Sequence, residues 1–153
     1  MSRICAMHVQ SVTGAPGVLD LGIVVFLGDR LVCQTAAFVA VGNTSEAAAL
    51  PVHADPLIVL TMAGAVGMES CPVYVWRGED VAPLRQCWER QGRWNAPVES
   101  LALRGMWASP AEALWFHGIN GEPGEGRAVV VARAIGKLAV VLASQPATKG
   151  GGA

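Results

Sequence analysis

The stretch RICAMHVQSVTGAPGVLDLGIVVFLGDRLVCQTAAFVAV, residues 3–41, decides the fold. It holds three β-type runs, 3–13, 21–27 and 31–41, separated by Gly14-Ala15-Pro16-Gly17 and by Gly28-Asp29-Arg30. Glycine and proline at those joints mark tight turns, so the three runs read as an antiparallel meander. The run 21–27 (LGIVVFL) is apolar at nearly every position, which places it inside a sheet covered on both faces.

Outward from the meander the character changes. Asn43-Thr44-Ser45-Glu46 opens an Ala-rich helix, with Asn43 or Thr44 as its N-cap, and Pro51 ends it. Asp55-Pro56 starts a second helix that runs to about Met68. Residues 72–76 (PVYVW) read as a fourth strand. Asp80 can then cap a helix whose Val81, Leu84 and Trp88 share one face. Residues 92–113 resist assignment apart from a short helix near 98–106. Leu114–Gly118 reads as a fifth strand, and 127–143 (RAVVVARAIGKLAVVLA) as a final helix, apolar nearly all round. Such a helix is buried or meets a partner, with Val130, Leu138 and Val141 as markers of the second possibility. Residues 1–144 are expected to form one α/β domain, and 145–153 (QPATKGGGA) a flexible tail.

Composition narrows the function. The chain has 153 residues, enough for one domain with a real core. Only 15% are charged, against roughly 25% in an average soluble domain. Either the surface is rich in small apolar residues, or part of it is covered by a protein partner or a second copy. The net charge of −1 offers no long-range attraction for nucleic acid or an anionic membrane. Cys5, Cys33, Cys71 and Cys87 are far apart and lack C-x-x-C spacing, so they read as buried thiols. Without a sustained apolar leader at the start, and with no apolar run long enough to span a bilayer, the expectation is a cytoplasmic protein. His8, His53 and His117 stand alone. A Ser11–His8 or Cys33–His pair would need a geometry that spacing does not show.

The order of elements, with the residues at the joints, resembles type 1 ribonuclease H over residues 5–143. That family joins its first strands through a T-D-G-S strand end and a G-N-P-G turn. Here Ser11, the turn at 14–17 and Gly22 stand at the corresponding places. Its first helix opens with a N-x-A-E-x-x-A-L-like run, repeated as Asn43-Thr44-Ser45-Glu46-Ala47-Ala48-Ala49-Leu50. Its D-S after the fourth strand, leading to tryptophans, corresponds to Arg77-Gly78-Glu79-Asp80 leading to Trp88 and Trp94. Its G-H-x-G-x-P loop before the last helix corresponds to Gly118-Ile119-Asn120-Gly121-Glu122-Pro123. The resemblance implies a five-stranded mixed sheet in order 3-2-1-4-5, flanked by helices.

The same resemblance argues against the family's activity. Four carboxylates there hold two divalent ions about 4 Å apart. Their positions fall on Val9, Glu46, Arg77 and Val129, and the family's loop histidine falls on Ile119. Valine cannot ligate. A guanidinium about 4 Å from a divalent ion is repelled by roughly 8 kcal/mol at an effective dielectric of 20. No cofactor or metal is therefore expected. Were Arg77 and Glu46 to converge, they would form an ion pair in place of the metals. Glu79, Asp80 and Glu125 are the carboxylates from which a remodelled site could be built, and Asp80 is better explained as a helix cap. Arg85, Arg90 and Arg93 are either a solvated helix face or a remnant of nucleic-acid contact. The leading expectation is a catalytically inactive ribonuclease H-like domain that binds protein or associates with itself. A non-cleaving nucleic-acid binder is the alternative, and a hydrolase with a remodelled metal site a further one.

Overall fold

Three long strands carry the sheet. In the computed structural model, which describes residues 2–15, 17–40, 72–89, 98–121, 123 and 126–145, these are β1 (Arg3–Ser11), β2 (Val18–Leu27) and β3 (Arg30–Ala40). They pair antiparallel through turns in which Gly14 and Gly28 take positive φ, a conformation that glycine adopts without steric cost. The short β4 (Val73–Val75) lies parallel to β1, and β5 (Val98–Ser100) parallel to β4. The sheet is mixed, five-stranded and ordered β3-β2-β1-β4-β5.

The expected order holds, but its fifth strand is a different segment. Leu114–Gly118 is not a strand: α2 spans Pro110–Phe116. Ser109 caps it by accepting from the Glu112 amide at 3.2 Å, Pro110 opens it, and Glu112 reaches back to the Ala108 amide. The helix expected near 98–106 is instead strand β5 followed by a 3₁₀ turn at Leu101–Arg104. Two bonds to one carbonyl, Ser100 Oγ to Trp76 O at 2.7 Å and Ala102 N to Trp76 O at 3.0 Å, tie that segment to the end of β4. Asp80 is not an N-cap either. A 3₁₀ turn at Gly78–Val81 starts after Arg77, and Asp80 accepts the Arg77 amide from inside the turn at 3.2 Å. Helix α1 (Ala82–Glu89) follows. The two helices expected between 43 and 68, and the tail beyond Gln145, lie outside the described residues.

Period-two alternation splits β1 between two cores. Cys5, Met7 and Val9 join Leu21, Ile23, Val81 and Leu84 on the α1 face. Ile4 and Ala6 join Val24, Phe26 and Trp76 on the other face, under α3 (Ala128–Ser144). β2 is buried along almost its whole length, as the apolar run 21–27 requires. α3 approaches β2 closely because Gly22 has no side chain: a Cβ there would fall 2.3 Å from the Val129 backbone. Gly136 likewise makes room for the Phe26 ring. Burial in its own chain accounts for most of the apolar surface of α3. Leu138 is fully buried and cannot mark an interface, whereas Val130 and Val141 are half-buried. Among the described residues, no helix is long and apolar enough to cross a membrane.

Candidate functional site

At the C-terminal end of β1 the sheet opens into a cleft of about 380 Å³, lined by His8, Gln10, Ser11, Glu79, Asp80 and Pro83 among others. The ends of parallel strands in an open α/β sheet are the usual place for ligand sites. Of the described positions that the resemblance sets against metal ligands, Val9 lines this cleft, and Arg77 and Val129 do not. Val9 pairs with Leu21 and packs toward α1, while Val129 sits over Gly22 on the opposite face. Ile119 packs with the core under α3. Arg77 is exposed and lines a separate depression with Leu103 and Trp107. Glu46 lies outside the described residues, and with it the pairing of Arg77 with Glu46.

The α3 face of this sheet end holds a polar network that sequence reading missed. Asp20, the one buried charged residue among those described, is only 3% exposed. Arg127 grips it in a two-point fork, Nε to Oδ2 and a terminal guanidinium nitrogen to Oδ1, each at 3.0 Å. The Ala128 amide donates to Oδ2 at 2.8 Å. Gln10 Nε2 lies 3.4 Å from Oδ2 and donates to the Gly126 carbonyl at 2.7 Å. The Arg127 guanidinium also stacks 4.2 Å over the Phe38 ring. The hydrogen bond to Asp20 raises the pKa of Arg127. Asp20 thus performs, from β2, the capping that the N-cap residue of α3 does not: a carboxylate against unpaired amides at the positive end of the helix dipole. Its oxygens are occupied by these donors, so it is not a spare metal ligand.

His8 shares that face, two residues before Gln10. Burial lowers its pKa, opposed by the charge of Asp80, a hydrogen bond with Gln10 and the charge of Asp20. The imidazole is therefore held toward its neutral form, and its Nδ1 is buried without a partner. Ser11 falls on the opposite face by strand alternation, which separates the Ser11–His8 pair. Cys33, level with Val25, packs on the α1 face, away from His8. His53 is outside the described residues. His117 is held by stacking against Trp107 and Phe116, with Gln145 Nε2 3.0 Å from its Nδ1. Among the described residues, no group of three or more His, Cys, Asp or Glu side chains could hold a metal ion. Arg85 is paired with Glu89 at 2.9 Å along α1, and Arg90 and Arg93 lie outside the described residues.

A second feature lies on the segment 101–117. Ala113 and Leu114 anchor α2 in the core, which turns Trp115 and Phe116 outward, 67% and 70% exposed. Leu103 is 87% exposed and Met106 fully so. Trp107 connects two of them: it lines one depression with Leu103 and stands 6.4 Å from the Phe116 ring. The Arg104–Glu99 ion pair at 2.8 Å borders this surface. The signal lies in the sequence as the apolar run Leu114-Trp115-Phe116, whose composition reads as a strand.

No protein-family model matches this chain, and no curated protein matches it.

Proposed function

We propose that this chain is a catalytically inactive ribonuclease H-like domain that works as a protein-binding module, with the 101–117 surface as its contact face. The observation that carries the reading is the exposure of Leu103, Met106, Trp115 and Phe116 on one short segment, with Trp107 beside Leu103 and Phe116. Large aromatic and aliphatic side chains grouped on a surface and bordered by charge are the composition of a binding hot spot. The family assignment draws on the sheet order, the parallel β1–β4 pair and the final helix over β1 and β2. The inactive state draws on Val9 in the core, Val129 packed over Gly22 and a buried carboxylate already saturated by Arg127.

Two experiments test it. A photo-crosslinking residue at Met106 should capture one protein from the native cell in stoichiometric amount, and Trp115→Ser with Phe116→Ser should abolish the capture. Incubation with an RNA–DNA hybrid and magnesium or manganese should leave the hybrid intact. Cleavage that Asp80→Asn and Glu79→Gln abolish would overturn the reading in favour of a remodelled site.

A further inference from the structure

We infer that two copies of this chain join edge to edge through β3, forming one continuous ten-stranded sheet from two sheets of five. β3 ends the sheet, and among the described residues only β2 pairs with it. It is 11 residues long, whereas β5 at the other end has only 3. A long edge strand presents a row of unpaired amides and carbonyls, and proteins that stay monomeric blunt such an edge with lysine, proline, inward charge or bulges. Here the strand reads RLVCQTAAFVA. Its only charge is Arg30 at the first position, and it has no proline. Its single register shift lies near Val32, which leaves Cys33–Ala40 regular. On the α3 side of the sheet, Gln34 and Ala36, level with Val24 and Gly22, are exposed, and Val32 beside them is 51% exposed.

A second copy is the occupant that this edge fits. An antiparallel strand is its own complement about a two-fold axis normal to the sheet. Residues directly opposite each other then share a face, so an axis through Ala36 sets Gln34 against Phe38 and Thr35 against Ala37 of the partner copy. No like charges meet in that register, and the small side chains at 36 and 37 allow close approach. The uncharged edge offers backbone complementarity and nothing that selects a charged partner. The pairing also closes on itself, because both β3 edges are consumed and, among the described residues, only the short β5 edges remain.

The helices do not drive this association. α3 rests on β1 and β2 alike. With strands about 4.8 Å apart, the two α3 axes lie about 19 Å from each other across the dyad. Packed helices are 8–10 Å apart, so Val130 and Val141 do not meet their counterparts. The inference is independent of the reading of 101–117.

Light scattering on the full chain tests it. The wild type should have twice the chain mass. Ala36→Lys places two ammonium groups face to face at the dyad, on a side chain that is exposed in the single chain, and should return the chain mass at the same concentration with an unchanged circular dichroism spectrum. Hydrogen exchange on the wild type supplies the second readout: every second amide of Cys33–Ala40 should lose protection on dilution. A wild type of single chain mass at every concentration overturns the inference. So does a dimer that survives Ala36→Lys, or one lost with Trp115→Ser and Phe116→Ser, which would place the contact at 101–117. β3 amides protected only in the presence of another protein would overturn it in favour of a different strand donor.

Discussion

The α3 face of the sheet and the 101–117 segment are built from the same kinds of residue and treat them in opposite ways. Under α3, Phe26, Ile135 and Leu138 are buried, and the one charge taken inside among the described residues, Asp20, meets four donors. On 101–117, Leu103, Met106, Trp115 and Phe116 stand in solvent. The first arrangement is what stability demands: apolar area removed from water and polar groups satisfied. The second leaves large apolar side chains in water, where folding gains little from them. The difference separates residues that hold the fold from residues to which the proposed function assigns binding.

That separation can be broken by substitution. Leu138→Ala should cost the most, about 2–5 kcal/mol in urea denaturation, from lost transfer energy and the cavity left in a core that α3 closes. A loss below about 1 kcal/mol would mean that α3 is not seated as described. Arg127→Ala should follow at about 1–3 kcal/mol, because Asp20 stays buried with its main partner gone. Arg127→Lys should recover only part of that, since a single ammonium cannot make the fork. Full recovery would reduce the fork to a simple charge.

The pH dependence should be smaller. His8 has its pKa lowered in the folded chain from 6.5, so the unfolded chain binds the proton more readily. Its contribution to stability is therefore complete above about pH 6.5 and is lost as the pH falls from there through the lowered folded value. His8→Asn should flatten that slope in thermal melts between pH 7 and 5. An unchanged slope would assign the acid sensitivity elsewhere. The smallest effect belongs to the other region: Trp115→Ser should change stability by no more than about 0.5 kcal/mol while removing partner capture. A loss of several kcal/mol would show that the aromatic surface is structural after all.

Much of the fold is legible in the residues themselves. The meander is written in three apolar runs and two glycine turns, and the burial of the last helix in its all-round apolarity. The fifth strand was misplaced for a physical reason. Leu114-Trp115-Phe116 has strand composition, but Ser109-Pro110 and Glu112 start a helix there, and a helix start outweighs three aromatic or aliphatic residues. Val98-Glu99-Ser100 is too short and polar to announce itself, and becomes a strand only because β4 lies beside it. The site was less legible. Asp20 is a lone carboxylate in an apolar strand, and its partner Arg127 is 107 positions away. Local spacing carries no trace of such a pair. A buried charge in a two-faced strand nevertheless demands a counter-charge, and Arg127 at the head of the last helix was the place to seek it. The Arg77–Glu46 pair that the resemblance suggests lies outside the described residues through Glu46, and the resemblance does not foresee the Arg127–Asp20 fork.

The distance along the chain between β2 and the helix that covers it also has a consequence for synthesis. Translation completes the meander by Ala40, yet α3 ends at Ser144. At 5–20 residues per second, the Ile4, Val24 and Phe26 face emerges roughly 5–20 s before its cover exists. During that interval the apolar face that α3 will cover has no α3 over it. Its yield in the cell should depend on how well the ribosome-bound chaperones shield that face, more than on the stability of the finished domain.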